Sequence, residues 1–227
     1  MPKQAVIILG APGAGKGTQA ELLVRRHSFL NFDTGRYLES TVHSPQADSD
    51  PILKRERRLF DTGKLCTPSF VLKIVKNETK KLASLDASIV YSGSPRSVYE
   101  AFGDKKTTGL MHTLVDSYGK KNITTILLKV PAAASISRNS QRRICAVCGL
   151  QVLANVKHPR CPLCDGTTRT RTLDDPKVIE KRLKEYAERT EPILKEMKKR
   201  GFRIVPIDGT PLPYKVSAVI DKKLKFK

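Results

Sequence analysis

The sequence predicts an α/β fold, a doubly wound parallel sheet with helices on both faces, and three observations carry that expectation. Short apolar runs recur along the chain, helical stretches separate them, and the first run ends in a glycine-rich turn that opens a helix. Unbroken apolar runs suit strands buried on both faces. Strands alternating with helices wind into parallel sheets, because each parallel return needs a crossover of helical length.

In chain order, Ala5 to Leu9 is the clearest strand, followed by the turn at Gly10 and by helical spacing from Gln19 to Arg26. Phe29 to Phe32 is a weaker run, and Ser88 to Tyr91, Thr125 to Val130 and Arg203 to Ile207 complete five expected strands. Two inserts interrupt this core. Residues 34–65 are polar and helical in character, with a basic stretch from Lys54 to Arg58. Residues 140–173 are rich in Cys, Gly, Pro and Thr, a composition that suits a small ribbon held by metal rather than by a hydrophobic core. After it, Asp175 is an expected N-cap and Pro176 an expected first helical residue, with Val178, Ile179, Leu183, Tyr186 and Ala187 sharing one face. The tail from Asp221 to Lys227 reads as a solvated basic helix end. The core is therefore expected from residues 1–33, 66–139 and 174–227, with 34–65 and 140–173 as two sub-domains.

With 39% apolar residues in 227, the chain can bury a substantial core, which argues against disorder. No apolar run approaches the length of a membrane span, and the segment around Met1 lacks a signal-peptide pattern, so a cytoplasmic protein with no membrane partner is expected. The formal charge, 42 − 22 = +20, favours phosphate-rich ligands and would permit sequence-independent contact with nucleic acid. A generally lysine-rich proteome would give the same number. Aromatic residues at 6% and the absence of Trp argue against a dedicated single-strand platform.

Gly10, Ala11, Pro12, Gly13, Ala14, Gly15, Lys16, Gly17 and Thr18 follow the first strand directly. Glycines let the backbone wrap closely around an anion, and the loop N–H groups with the helix N-terminus then face phosphates. Lys16 adds a point charge for the β- and γ-phosphates, and Thr18 a hydroxyl near phosphate and metal. This is a P-loop, and the fold it announces is of the P-loop NTPase type.

Cys145 and Cys148, twelve residues, then Cys161 and Cys164 form two Cys-x-x-Cys knuckles in one short insert. Four thiolates so arranged are the usual supply for a closed tetrahedral zinc. With every position filled by protein, such a zinc is structural. Disulfide or redox chemistry is the competing reading, and no thioredoxin-like context surrounds either pair. Gly149 and Gly166 would allow the tight turns. Cys66 stands alone as a reduced thiol.

The order Gly-Lys-Gly-Thr at residues 15–18 resembles that of adenylate kinases and their close relatives among nucleoside monophosphate kinases. The resemblance continues through Thr34-Gly35, Gly63-Lys64-Leu65, Gly93-Ser94-Pro95-Arg96, Arg138, Arg142-Arg143, Asp174-Asp175, Arg182 and Ile207-Asp208-Gly209, in the right order at plausible spacing. It implies that 34–65 binds the nucleoside monophosphate and that 140–173 is a zinc-bearing lid. It further implies ATP and Mg²⁺ as cofactors, AMP as the default acceptor, and a monomer. By the same resemblance Arg96 would hold the acceptor's α-phosphate, while Arg138, Arg142 and Arg182 would surround the transferred phosphoryl. Thr34, Gly35, Arg36 and Glu100 would line the acceptor site.

Four departures fall on polar site residues. Ser92 stands where the family carries the aspartate that holds magnesium through its waters, with Asp33 a substitute to be considered. The family's Thr-Gly-Asp-x-x-Arg becomes Thr34-Gly35-Arg36-Tyr37-Leu38-Glu39, so the two charges have exchanged places, and Arg36 is expected to take over the phosphate contact. Glu100 replaces the glutamine that reads adenine. A carboxylate only accepts, so Glu100 either favours a base with two donors, such as guanine, or points to solvent and selects nothing. Thr172 occupies a lid-exit arginine position, with Arg169 and Arg171 nearby. Two functions follow: an active kinase, or a nucleotide-binding relative with weakened turnover.

Overall fold

The computed structural model describes residues 3–153, 156–170 and 174–226. The chain begins with β1 (Ala5–Gly10), α1 (Lys16–His27) and β2 (Leu30–Phe32). Helices α2 (Thr34–Val42) and α3 (Pro51–Asp61) make up the first insert and lead into α4 (Pro68–Ala83). β3 (Ile89–Tyr91), α5 (Val98–Phe102), α6 (Leu110–Tyr118), β4 (Ile123–Lys129) and α7 (Ala132–Ser140) follow. The second insert holds β5 (Arg143–Cys145), β6 (Gln151–Val152) and β7 (Thr168–Arg169). α8 (Pro176–Glu185), α9 (Glu191–Lys199), β8 (Arg203–Asp208) and α10 (Pro213–Leu224) return the chain to the core.

The main sheet has the order β2-β3-β1-β4-β8, parallel at every pairing. β1 lies at its centre, in register with β3 (Val6 opposite Val90) and with β4 (Val6 opposite Thr124). Its side chains alternate between two cores, as strand periodicity requires. Ile7 and Leu9 join Leu72, Val75, Met111 and Leu114 on one face, and Val6 and Ile8 join Ala20, Leu23, Val216 and Ile220 on the other. Both faces are therefore covered by helices, and all five expected strands are present. The ribbon is a separate antiparallel sheet of order β6-β5-β7.

The helix after the ribbon starts as expected: Asp175 Oδ1 accepts from Lys177 N at 2.9 Å, with Pro176 in the first turn. Its continuation differs. α8 stops at Glu185, and a π-helical turn from Tyr186 to Thr190 precedes α9, leaving Ala187 exposed rather than on the buried face. Pro192, near the start of α9, has no N–H to give and would crowd the carbonyl one turn back, so the helix widens there. The tail also differs from a solvated end. Lys222, Lys223 and Lys225 are exposed, but Leu224 is buried and the Phe226 ring sits 5.7 Å from that of Phe29. Thr172 and Arg171, two of the lid-exit residues, lie outside the described residues.

Candidate active site

The phosphate loop is shaped from two sides. Gly13 has φ +82° and Gly15, the N-cap of α1, has φ +92°, a region that side chains oppose. At Gly13 a Cβ would lie 2.6 Å from both Asn139 Nδ2 and the Ser135 carbonyl oxygen. Helix α7 supports the loop from below: the buried Ser135 hydroxyl donates to the Pro12 carbonyl, and Asn139 Nδ2 donates to Ser135 O at 3.0 Å. These two residues, one helical turn apart, escaped sequence reading, because a Ser and an Asn in a short helix carry no signal of what lies beneath them.

Lys16 Nζ donates to the carbonyls of Gly10 at 2.8 Å and Ala11 at 2.9 Å, so the ammonium folds over its own loop. Burial lowers its pKa well below the usual lysine value, and Arg96, Arg182 and Arg142 push it further down, while Asp33 opposes them. Three guanidiniums thus add positive potential at one ammonium, which favours an anion in the cavity they share.

A cavity of about 520 Å³ opens over this loop. Of the residues expected from the sequence, Pro12, Gly13, Ala14, Gly15, Lys16, Gly17, Thr18, Thr34, Gly35, Arg96, Glu100, Arg138, Arg142 and Arg182 all line it. Gly10 lines a smaller cavity of about 40 Å³ next to it, together with Arg96 and Arg182. Arg36 is not among the lining residues; its guanidinium reaches the ribbon instead, donating from Nη2 to Gly149 O at 2.8 Å. Gln151 on β6, which sequence reading passed over, does line the cavity.

Protein oxygens hold the arginines. Arg96 Nε donates to Gly93 O at 2.8 Å. Arg138 spans the turn after β8, donating to Gly209 O and Thr210 O, both at 2.8 Å. Arg142 makes a two-point pair with Asp174, Nε to Oδ2 at 2.9 Å and Nη2 to Oδ1. Neighbouring Arg143 is spent inside the ribbon, on the carbonyls of Val156 and His158.

Glu100 does not point to solvent. It is 3% exposed, and its carboxylate accepts from Arg96 N at 2.9 Å and from Ser97 Oγ at 3.1 Å, while Ser97 Oγ caps α5 by accepting from Glu100 N at 3.2 Å. That resembles a capping box at the start of α5, with the return bond taken from the N–H of the residue before the cap. Burial raises the carboxyl above its usual range, against the Arg96 N–H and the Ser97 hydroxyl. Ser92 and Thr34 are buried and line the cavity, and neither Oγ of Ser92 nor Oγ1 of Thr34 has a partner among the described residues. Asp33 caps α2, its Oδ1 accepting from Arg36 N at 3.1 Å, and it also lines the cavity.

In the ribbon the four sulfurs of Cys145, Cys148, Cys161 and Cys164 lie within 4.8 Å of one another. Cys145 and Cys164 are 3.5 Å apart and Cys148 and Cys161 3.7 Å, with no disulfide among the described cysteines. Zn–S bonds of about 2.3 Å place tetrahedral sulfurs about 3.8 Å apart, so this donor set fits zinc. The N–H groups of Val147 and Cys148 both reach Cys145 Sγ at 3.3 Å, and the Cys148 contact leads in pulling the Cys145 thiol down to about 6. Gly149 takes the left-handed turn expected of it, at φ +72°. Gly166 serves differently: the left-handed residue is Asp165, and a Cβ on Gly166 would come within 3.0 Å of Cys145 Sγ.

Comparison with known proteins agrees with this geometry. The family model described as adenylate kinase matches residues 8–202. The chain is 30% identical over 204 residues to the adenylate kinase of Caldicellulosiruptor bescii, across 88% of this chain and 89% of that one. It is 31% identical over 206 residues to that of Caldicellulosiruptor saccharolyticus, across 89% and 90%. With the adenylate kinase of Erythrobacter litoralis it shares 29% over 225 residues, across 97% and 99%. With the family model matched over most of its length and relatives of 30% identity or more aligned over about nine-tenths of it, the chain belongs to the adenylate kinase family.

Proposed function

We propose that the protein transfers the γ-phosphoryl group of Mg-ATP reversibly to a nucleoside monophosphate, with AMP as the default acceptor, and that the ribbon is a lid organised by a structural zinc. The observation that carries this reading is that Lys16, Arg96, Arg138, Arg142 and Arg182 all line one cavity over the phosphate loop. Phosphoryl transfer asks the protein for in-line positioning and positive charge around the transferred group, and little covalent chemistry.

In this reading the loop from Gly10 to Thr18 seats the ATP phosphates on its N–H groups, and Lys16 leaves its carbonyl partners for the β- and γ-oxygens. Arg96 holds the acceptor phosphate, and Arg138, Arg142 and Arg182 neutralise charge on the moving phosphoryl. Mg²⁺, when bound, would neutralise phosphate charge, and Asp33 is a carboxylate on the cavity wall that could hold its water shell. Residues 34–65 carry the acceptor and 140–173 close over ATP, excluding water that would otherwise hydrolyse it. The protein works as a monomer. Among the described residues no helix is long and apolar enough to cross a membrane.

A second reading, a nucleotide-binding relative with slow turnover, is favoured by one observation: Ser92 puts a hydroxyl where the family resemblance calls for a carboxylate, and a hydroxyl is a poorer anchor for a hard cation. The test is a product assay on zinc-loaded protein, with Mg-ATP and each nucleoside monophosphate in turn. ADP from AMP is the expected result. No diphosphate from any acceptor, in a folded sample that binds ATP, establishes the second reading.

A further inference from the structure

Arg36 and Glu39 are one turn apart on α2, and both meet the ribbon. Arg36 Nη2 donates to the Gly149 carbonyl at 2.8 Å, and Glu39 Oε1 lies 3.9 Å from Arg169 Nη2 on β7. Asp33 steadies the arginine from the other side: Oδ1 accepts from Arg36 N at 3.1 Å, and Oδ2 lies 3.6 Å from Arg36 Nε.

Gly149 belongs to the first zinc knuckle. It follows Cys148 directly, its N–H returns to Cys145 O at 3.1 Å, and its backbone is left-handed at φ +72°. The knuckle therefore fixes the direction of the carbonyl that Arg36 grips. Even a Cβ on Gly149 would come within 3.3 Å of the guanidinium, so the approach is close.

We propose that Arg36 and Glu39 are positioning residues that clasp the zinc ribbon to the helical insert, so that ribbon and insert close over the two nucleotides together and metal loading governs how firmly the acceptor is held. The exchange of charges at 36 and 39 follows from this. With the family's order, an acid at 36 would face the Gly149 carbonyl and an arginine at 39 would face Arg169, two repulsive contacts. The order found here makes both attractive. Arg36 is thereby committed to the ribbon rather than to a phosphate, which explains its place outside the lining of the cavity. Glu39 and Arg169 form the weaker half, an exposed pair at long range. The Arg36 bond is charge-assisted and carries most of the clasp.

This inference rests on the phosphotransfer reading for its meaning but not for its test, which is amide hydrogen exchange of residues 140–170 in the zinc-loaded full chain. Exchange reports closure whether or not phosphate is transferred, so its failure and that of the kinase reading are distinguishable. Arg36→Ala is expected to speed ribbon exchange about tenfold, the share of one charge-assisted hydrogen bond, with zinc content unchanged and the acceptor KM raised. Glu39→Arg is expected to act in the same direction, and Glu39→Arg with Arg169→Glu to reverse it, which keeps the test open should Arg36→Ala fold poorly. Unchanged ribbon exchange in Arg36→Ala with a raised acceptor KM overturns the proposal and makes Arg36 a phosphate ligand. Failure of the paired reversal to restore exchange overturns the role of Glu39.

Discussion

Arg142 and Asp174 meet in a two-point ion pair where the chain enters and leaves the zinc ribbon, with the carboxylate side chain 4% exposed and the guanidinium 16%. The pair ties together the chain segments on either side of the ribbon and offsets the charge of one of the arginines that act on Lys16. Asp174→Asn leaves that arginine largely buried beside like charges. Breaking such a pair costs about 3 kcal/mol or more. A clear fall in melting temperature is expected, and an unchanged melting curve would show that the pair is dispensable.

Lys16 gives a proton-linkage prediction. Its pKa in the nucleotide-free protein is lowered by burial and then by Arg96, Arg182 and Arg142. Bound phosphates favour the charged ammonium and raise that pKa, so binding takes up protons. ATP affinity therefore rises as pH falls through the lowered lysine pKa. Calorimetry in buffers of different ionisation enthalpy, above the range where the nucleotide itself titrates, should show proton uptake in the wild type and none in Lys16→Met.

Zinc should prove structural. Removing it with a chelator, or replacing Cys145 by Ser, is expected to release one metal ion per chain and to speed amide exchange in β5, β6 and β7 while the five-stranded sheet stays protected. A ribbon this poor in buried apolar residues has little else to hold it. Equal protection with and without metal would contradict the assignment.

Glu100 carries a pH-dependent stability term. Its carboxyl is raised by burial, so the folded protein prefers the protonated form and the charged form is a cost above that pKa. Relative to Glu100→Gln, the wild type should gain stability as pH falls through the raised carboxyl pKa. At neutral pH, Glu100→Gln keeps an amide oxygen for the Arg96 N–H and removes the buried charge, so it should be at least as stable as the wild type there. Denaturant melts of both proteins across the acidic range test the sign. A gap between them that does not vary with pH would show that the Glu100 carboxyl titrates alike in the folded and unfolded chain.

Much of this was legible in the sequence because it rests on backbone demands. Gly13 and Gly15 announce left-handed turns, the apolar runs announce strands buried on both faces, and the cysteine spacing announces a knuckle pair. The side-chain assignments at the acceptor end were less legible. Glu100 was read as facing either a base or solvent; it is buried in the cavity wall, with its carboxylate engaged at its own helix start. Arg36 was read as a phosphate ligand by position, yet α2 turns it toward a carbonyl 113 residues away, a contact that only the placement of the ribbon creates. Ser135 and Asn139 were silent for the same reason: what they support is distant in sequence. The π-helical turn is written in Pro192, though its effect is felt in the residues before it.

The bond from Ser135 to the Pro12 carbonyl spans 123 residues. Seen from the ribosome, the loop that cradles phosphate leaves the exit tunnel long before the helix that props it. At about 5–20 residues per second, roughly 6–25 s separate the two. β1 waits as long for β4, its partner on one side. A nascent chain that stops before α7 thus displays every residue of the phosphate loop but lacks the helix that props it. Nucleotide can act as a folding ligand only after the second half of the sheet has been made.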